Sequence, residues 1–217
     1  MHPTKPLAVS LLAFIALASS DARAATVSGR VLGPDGKGIA QAVVFVESPA
    51  ETTVGGAAAS AEMNQIGKTY IPHVLPVAAG TLVHFPNYDQ IRHHVYSFSR
   101  VKTFELPLYR GESAKPVLFD KPGVVKLGCN IHDWMSGIIL VLPTRHFAMT
   151  DDDGRYALPG LGAGTHTITA WHELSEKKTE DLARPVTVAG KDLTADFELS
   201  LSDRRGRPGR HGVRSDP

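Results

Sequence analysis

The chain has 217 residues, of which 42% are hydrophobic and 21% charged, ordinary values for a globular protein with room for one large domain or two small ones. Its formal charge is +1, from 23 basic and 22 acidic residues. No stretch after the first 24 residues is long and apolar enough to span a bilayer, which excludes a multi-span membrane protein.

His2 and Lys5 precede a short apolar run at residues 7–18, followed by Ala22-Arg23-Ala24. This pattern predicts a secretory signal peptide over residues 1–24, cleaved after Ala24, and hence a periplasmic protein. An exported protein has no nucleic-acid role. Cleavage removes Lys5, Asp21 and Arg23 and brings the net charge to zero.

Short β-branched or aromatic segments are expected as strands at 27–31, 42–47, 82–85, 94–98, 124–127 and 138–142. Turn signals such as Gly33-Pro34-Asp35-Gly36, Lys121-Pro122-Gly123 and Asp153-Gly154 separate them. Short strands at this spacing predict an all-β protein built of β-sandwiches, not a parallel α/β sheet. Residues 49–61, mostly Ala, Gly, Thr and Ser, read as a linker.

The segments "VSGRVLGPDGKGIAQAVVFV" and "AMTDDDGRYALPGLGAGTHTITAWH" resemble the two halves of a carboxypeptidase regulatory-like, transthyretin-like sandwich. The resemblance implies a strand–turn–strand hairpin in the first half, with residues 27–47 and 156–171 in one sheet. About a hundred residues lie between the halves. The expectation is a discontinuous β-sandwich over 25–48 and 143–200, with a second domain at 62–142 inserted through an exposed loop. Three independent pieces in sequence are the alternative.

The inserted segment carries the chemistry. It ends in Cys129-Asn130-Ile131-His132-Asp133-Trp134-Met135, a C-x2-H-x2-M loop between two expected strands. Cys129 is the only cysteine, so it has no partner for an internal disulfide in an oxidising compartment. A thiolate, an imidazole and a thioether in one loop suit copper, which alternates between a softer and a harder oxidation state. Zinc recruits more thiolates, imidazoles or a carboxylate. A blue-copper site needs a second histidine, and the stretch from Phe85 to Phe98 offers His93 and His94.

Together, "VHFPNYDQIRHHVYSF" and "GVVKLGCNIHDWMSGIILV" resemble the cupredoxin family, with the short ligand loop of amicyanins. The resemblance implies one type 1 copper ion bound by His93, Cys129, His132 and Met135, with Met135 as the weak axial ligand. His94 stands where the family usually has Asn. His93 is preferred over His94 because adjacent strand residues face opposite sides. Trp134 reads equally as packing under the loop or as a docking surface. His73, His84, His146, His166 and His172 lack ligand spacing.

The function implied is single-electron transfer, not enzyme catalysis, with a c-type cytochrome or a dehydrogenase as periplasmic partner; the amicyanin likeness suggests amine oxidation. A copper-delivery protein and a non-redox β-sandwich binding module are the alternatives. Residues 201–217 hold Arg204, Arg205, Arg207, Arg210 and Arg214 among Gly and Pro, and are expected to be a disordered basic tail.

Overall fold

The computed structural model describes residues 24–47, 59–111 and 115–202. All but the last residue of the expected signal peptide, residues 49–58 of the linker and all but the start of the tail lie outside these residues. The chain is all-β. In order the strands are β1 (Ala25–Leu32), β2 (Val43–Glu47), β3 (Ser60–Glu62), β4 (Asn64–Ile66), β5 (Thr69–Ile71) and β6 (Val74–Ala78). They continue with β7 (Thr81–His84), β8 (His93–Ser99), β9 (Lys102–Tyr109), β10 (Val117–Phe119), β11 (Gly123–Gly128) and β12 (Ser136–Leu142). The last are β13 (Phe147–Met149), β14 (Arg155–Leu161), β15 (Gly164–Trp171), β16 (Ala183–Val188), β17 (Leu193–Thr194) and β18 (Phe197–Glu198). No helix among the described residues is long and apolar enough to cross a membrane.

The strands form two sandwiches. In one, β1 pairs with β14, β17 and β18, while β2 lies between β13 and β15 in the opposing sheet. Val27, Val31, Val44, Val46, Leu158 and Ile168 fill the core between these sheets. In the other, a five-stranded sheet in the order β6-β12-β11-β8-β9 opposes β10-β7-β3. Its core includes Met63, Val83, Phe85, Val95, Phe119, Val125 and Ile139.

A third apolar layer joins the two. Val43 and Phe45 of β2 and Trp171 of β15 pack on Val74, Ile138, Leu140 and Leu142. Strands β2 and β12 are therefore buried on both faces. Each turns alternate residues into its own sandwich core and into this seam, which is why "VVFV" and "GIILVL" are unbroken apolar runs instead of alternating ones. Burying each large seam side chain stabilises the assembly by roughly 1.5–3 kcal/mol.

Three details differ from the sequence reading. Strands β1 and β2 do not form a hairpin: after the Gly33–Gly38 turn only Leu32 and Gly38 bridge, and β2 crosses to the other sheet. Consequently β1 pairs with β14 and β2 pairs with β15 in separate sheets, not one. Strand β2 also starts one residue late, because the Ala42 N–H is taken by the Thr150 hydroxyl at 2.9 Å. Strand β9 falls outside the expected set because Pro107 interrupts its pattern, which an edge strand tolerates; among the described residues β9 pairs with β8 alone.

Candidate metal centre

Two structural features bring the candidate residues together. His93 opens β8 and pairs across to Tyr109 of β9. Cys129 directly follows β11, and the loop to β12 carries His132 and Met135. Since β11 lies between β8 and β12, both ligand segments meet at one end of the sheet.

The Cys129 Sγ lies 3.6 Å from His132 Nδ1 and 4.0 Å from His93 Nδ1. One donor atom from each of these three residues falls within 4.8 Å of the others, a group that can hold a metal ion. Met135 is buried in the same core cluster as Cys129, and its N–H donates to the His132 carbonyl at 2.9 Å, closing the loop into a tight turn. His94 faces the other way: its Nε2 meets the Glu105 carboxylate at 2.8 Å and its ring stacks on Tyr96.

Exposure differs sharply around the group. His93 is 0% exposed and Cys129 3%, whereas His132 is half-buried. Beside it stand Ile131 and Trp134, the latter 66% exposed with its ring 5.4 Å from that of His132. Trp134 is thus a surface residue and does not pack beneath the loop.

Residues that pattern reading passed over hold this end of the sheet. Tyr70 donates its hydroxyl to the Gly128 carbonyl at 3.0 Å. Gly128 itself has no room for a side chain, since a Cβ would come 2.6 Å from the Tyr96 ring. Asn87 donates from Nδ2 to the carbonyls of Ile91 and Tyr109, tying the segment before His93 to β9. Asp89 accepts a hydrogen bond from His93 Nε2 at 2.8 Å. The i, i+4 spacing of Asp89 and His93 was visible in the sequence, but spacing outside a helix does not by itself imply contact.

The electrostatics favour a bare His132 imidazole and protonated phenols. Partial burial, followed by the His93 ring and the Lys68 ammonium, holds the His132 ring below its usual range. Burial raises the Asp89 carboxyl, but hydrogen bonds from Lys68, His93 and Gly67 outweigh it and leave the group below the usual carboxylate range. Burial drives Tyr70 upward with Cys129 adding to it, and pushes Tyr109 up to about 12. Both phenols therefore remain donors.

The donor set itself fits copper: one thiol and two imidazoles within reach of one another, with a thioether buried in the same loop.

No protein-family model matches the chain, and no curated protein does. Solved structures do resemble parts of it. One is a purple cupredoxin from Nitrosopumilus maritimus, 24% identical with a TM-score of 0.35, covering 38% of this chain and 99% of that one. Another is an oxidized mutant of amicyanin, 21% identical with a TM-score of 0.35, covering 46% of this chain and 98% of that one. A Cu-containing nitrite reductase from Thermus scotoductus SA-01 is 26% identical with a TM-score of 0.36, over 45% of this chain and 25% of its own. Each likeness covers less than half of this chain.

Proposed function

We propose that this chain is a periplasmic copper protein that carries single electrons between redox partners. His93, Cys129 and His132 would hold one type 1 copper, with the Met135 thioether as a weak fourth donor. The observation that carries this reading is the convergence of two imidazole nitrogens and one buried thiol from segments 36 residues apart. That donor combination suits a copper ion that must accept both oxidation states, while a structural zinc site takes four nitrogen, sulfur or carboxylate donors. Copper bound here would supply a reversible one-electron couple.

The surrounding residues serve the same end. Burial of Cys129 keeps its thiol from outside oxidants. The strand ends and the hydrogen bonds of Asp89, Asn87 and Tyr70 fix the donors in one arrangement, which limits reorganisation when charge changes. His132, with Ile131 and Trp134 beside it, presents a small apolar surface suited to a weak, transient interface. A c-type cytochrome or a dehydrogenase, one of amine oxidation on the amicyanin resemblance, would dock there. We read the protein as a carrier and not an enzyme, delivered by a signal peptide over residues 1–24. Residues 62–142 form its copper domain in this reading, and 25–48 with 143–200 a supporting sandwich.

A copper titration of the protein without its first 24 residues, followed by optical and electron paramagnetic spectra, tests the proposal. The expected result is one equivalent of copper, an intense visible thiolate-to-copper band, and a reversible couple that survives cycling against a mild chelator. Prompt surrender of the reduced ion to the chelator would move the protein to copper delivery. No copper binding would leave only the binding-module reading.

A further inference from the structure

The turn between β4 and β5 adopts an uncommon backbone for its sequence. Its two central residues, Gly67 and Lys68, have φ of 61° and 59°, the pattern of a type I′ hairpin. Gly suits such a position, but a long side chain like that of Lys68 does not. Strain of this kind persists where the surroundings require it. Here the requirement is visible. The turn aims two successive N–H groups at one carboxylate: Gly67 N–H donates to Asp89 Oδ1 at 2.6 Å, and Lys68 N–H to Asp89 Oδ2 at 2.8 Å. The second oxygen also accepts from His93 Nε2 at 2.8 Å.

The hairpin is zipped to the same segment on its other side. Gln65 N–H donates to the Pro86 carbonyl at 2.9 Å, and Tyr88 N–H to the Gln65 carbonyl at 3.0 Å. Asp89 is itself held by its N–H on Asn87 Oδ1 at 3.0 Å. The carboxylate thus has one placement.

We infer that the Gly67–Lys68 turn is an anion cradle built to hold Asp89 against His93, and that Asp89 is the positioning residue of the buried imidazole. The inference rests on the copper reading for its purpose, but its geometry belongs to the metal-free chain. A carboxylate can only accept, so His93 Nε2 carries the ring proton and Nδ1 is left bare toward Cys129. Carboxylate partners of this kind orient and strengthen imidazole ligands. Only a carboxylate satisfies all three donors. An amide in its place offers one accepting end, and its NH2 must oppose either a turn N–H or the imidazole N–H.

The test compares the full chain with its Asp89→Asn and Lys68→Gly variants. In the metal-free wild type, nitrogen–proton spectra of the histidine rings should show His93 protonated at Nε2 with a slowly exchanging proton. Asp89→Asn should speed that exchange and weaken copper binding by about tenfold to a hundredfold. It should also shift the thiolate-to-copper band while leaving the circular dichroism of the sheet unchanged. Lys68→Gly keeps both N–H groups and removes the unfavourable φ, so it should keep the slow exchange of the His93 ring proton and raise the urea midpoint. Two results would overturn the inference: a metal-free wild type with His93 protonated at Nδ1, or an Asp89→Asn protein with unchanged proton exchange and affinity. The first holds even if the variant fails to fold. If the wild type binds no copper, the ring spectra still decide the positioning role, so its failure and that of the copper reading are distinct.

Discussion

His93 and His132 turn the same ring nitrogen toward the same sulfur from opposite surroundings. His93 is wholly buried, fixed by a strand, a carboxylate and a strained turn. His132 is half-buried on a seven-residue loop segment whose neighbours Ile131 and Trp134 face solvent. On the copper reading the comparison separates two tasks of one site. The inner imidazole would give the site its geometry, and the outer one would place it within reach of a partner. The thiol between them belongs to both, and its removal is the largest perturbation available. Cys129→Ser should abolish the thiolate-to-copper band entirely, because a hydroxyl is a harder and far less acidic donor; a visible spectrum of the copper-loaded variant checks this.

The two imidazoles should then part company. His93→Ala removes a buried ring and a hydrogen bond to a carboxylate, so it should cost about 2–4 kcal/mol of stability in the metal-free protein. It should lose copper as well. His132→Ala removes a half-exposed ring and should cost no more than about 0.5–1 kcal/mol. Its opened site should take up free imidazole from solution and regain colour, whereas the buried position should not. Urea unfolding of the metal-free proteins and imidazole titration of the copper-loaded ones measure both halves. Equal stability losses would mean that burial does not distinguish the two rings.

The same contrast between inner and outer decides what pattern reading reached. The loop Cys129–Met135 is local, so its donor spacing is written in seven consecutive residues and could be read directly. His93 required only the resemblance of one further stretch. Asp89, Tyr70 and Asn87 act through contacts with residues distant in sequence, such as Tyr70 with Gly128 and Asp89 with Lys68. A side chain in a loop gives no sign of which distant amide it will meet. Fold class was legible from short β-branched segments, but the relation between the sandwiches was not. The unbroken apolar runs of β2 and β12 marked strands buried on both faces, a signal for a seam that alternation alone does not carry. The small strands β3, β4, β5, β10, β13, β17 and β18 have two or three residues each, too few to show a period.

His94 gives the smallest and most discriminating change. It neighbours His93 in sequence, yet its ring lies on the other side of β8, where its Nε2 meets Glu105 and its face stacks on Tyr96. The Glu105 side chain is 70% exposed, so water screens the pair and its worth is at most about 1 kcal/mol. His94→Ala should therefore lower the urea midpoint slightly and leave the position and intensity of the copper band nearly unchanged. The strand pairing of β8 with β9 and β11 runs through backbone groups and survives the substitution. If His94→Ala bleaches the copper protein while His93→Ala does not, the inner ligand is His94 and strand β8 must rotate its face on binding metal. In that event the contrast between a buried, carboxylate-held imidazole and an outer one would describe the metal-free chain alone.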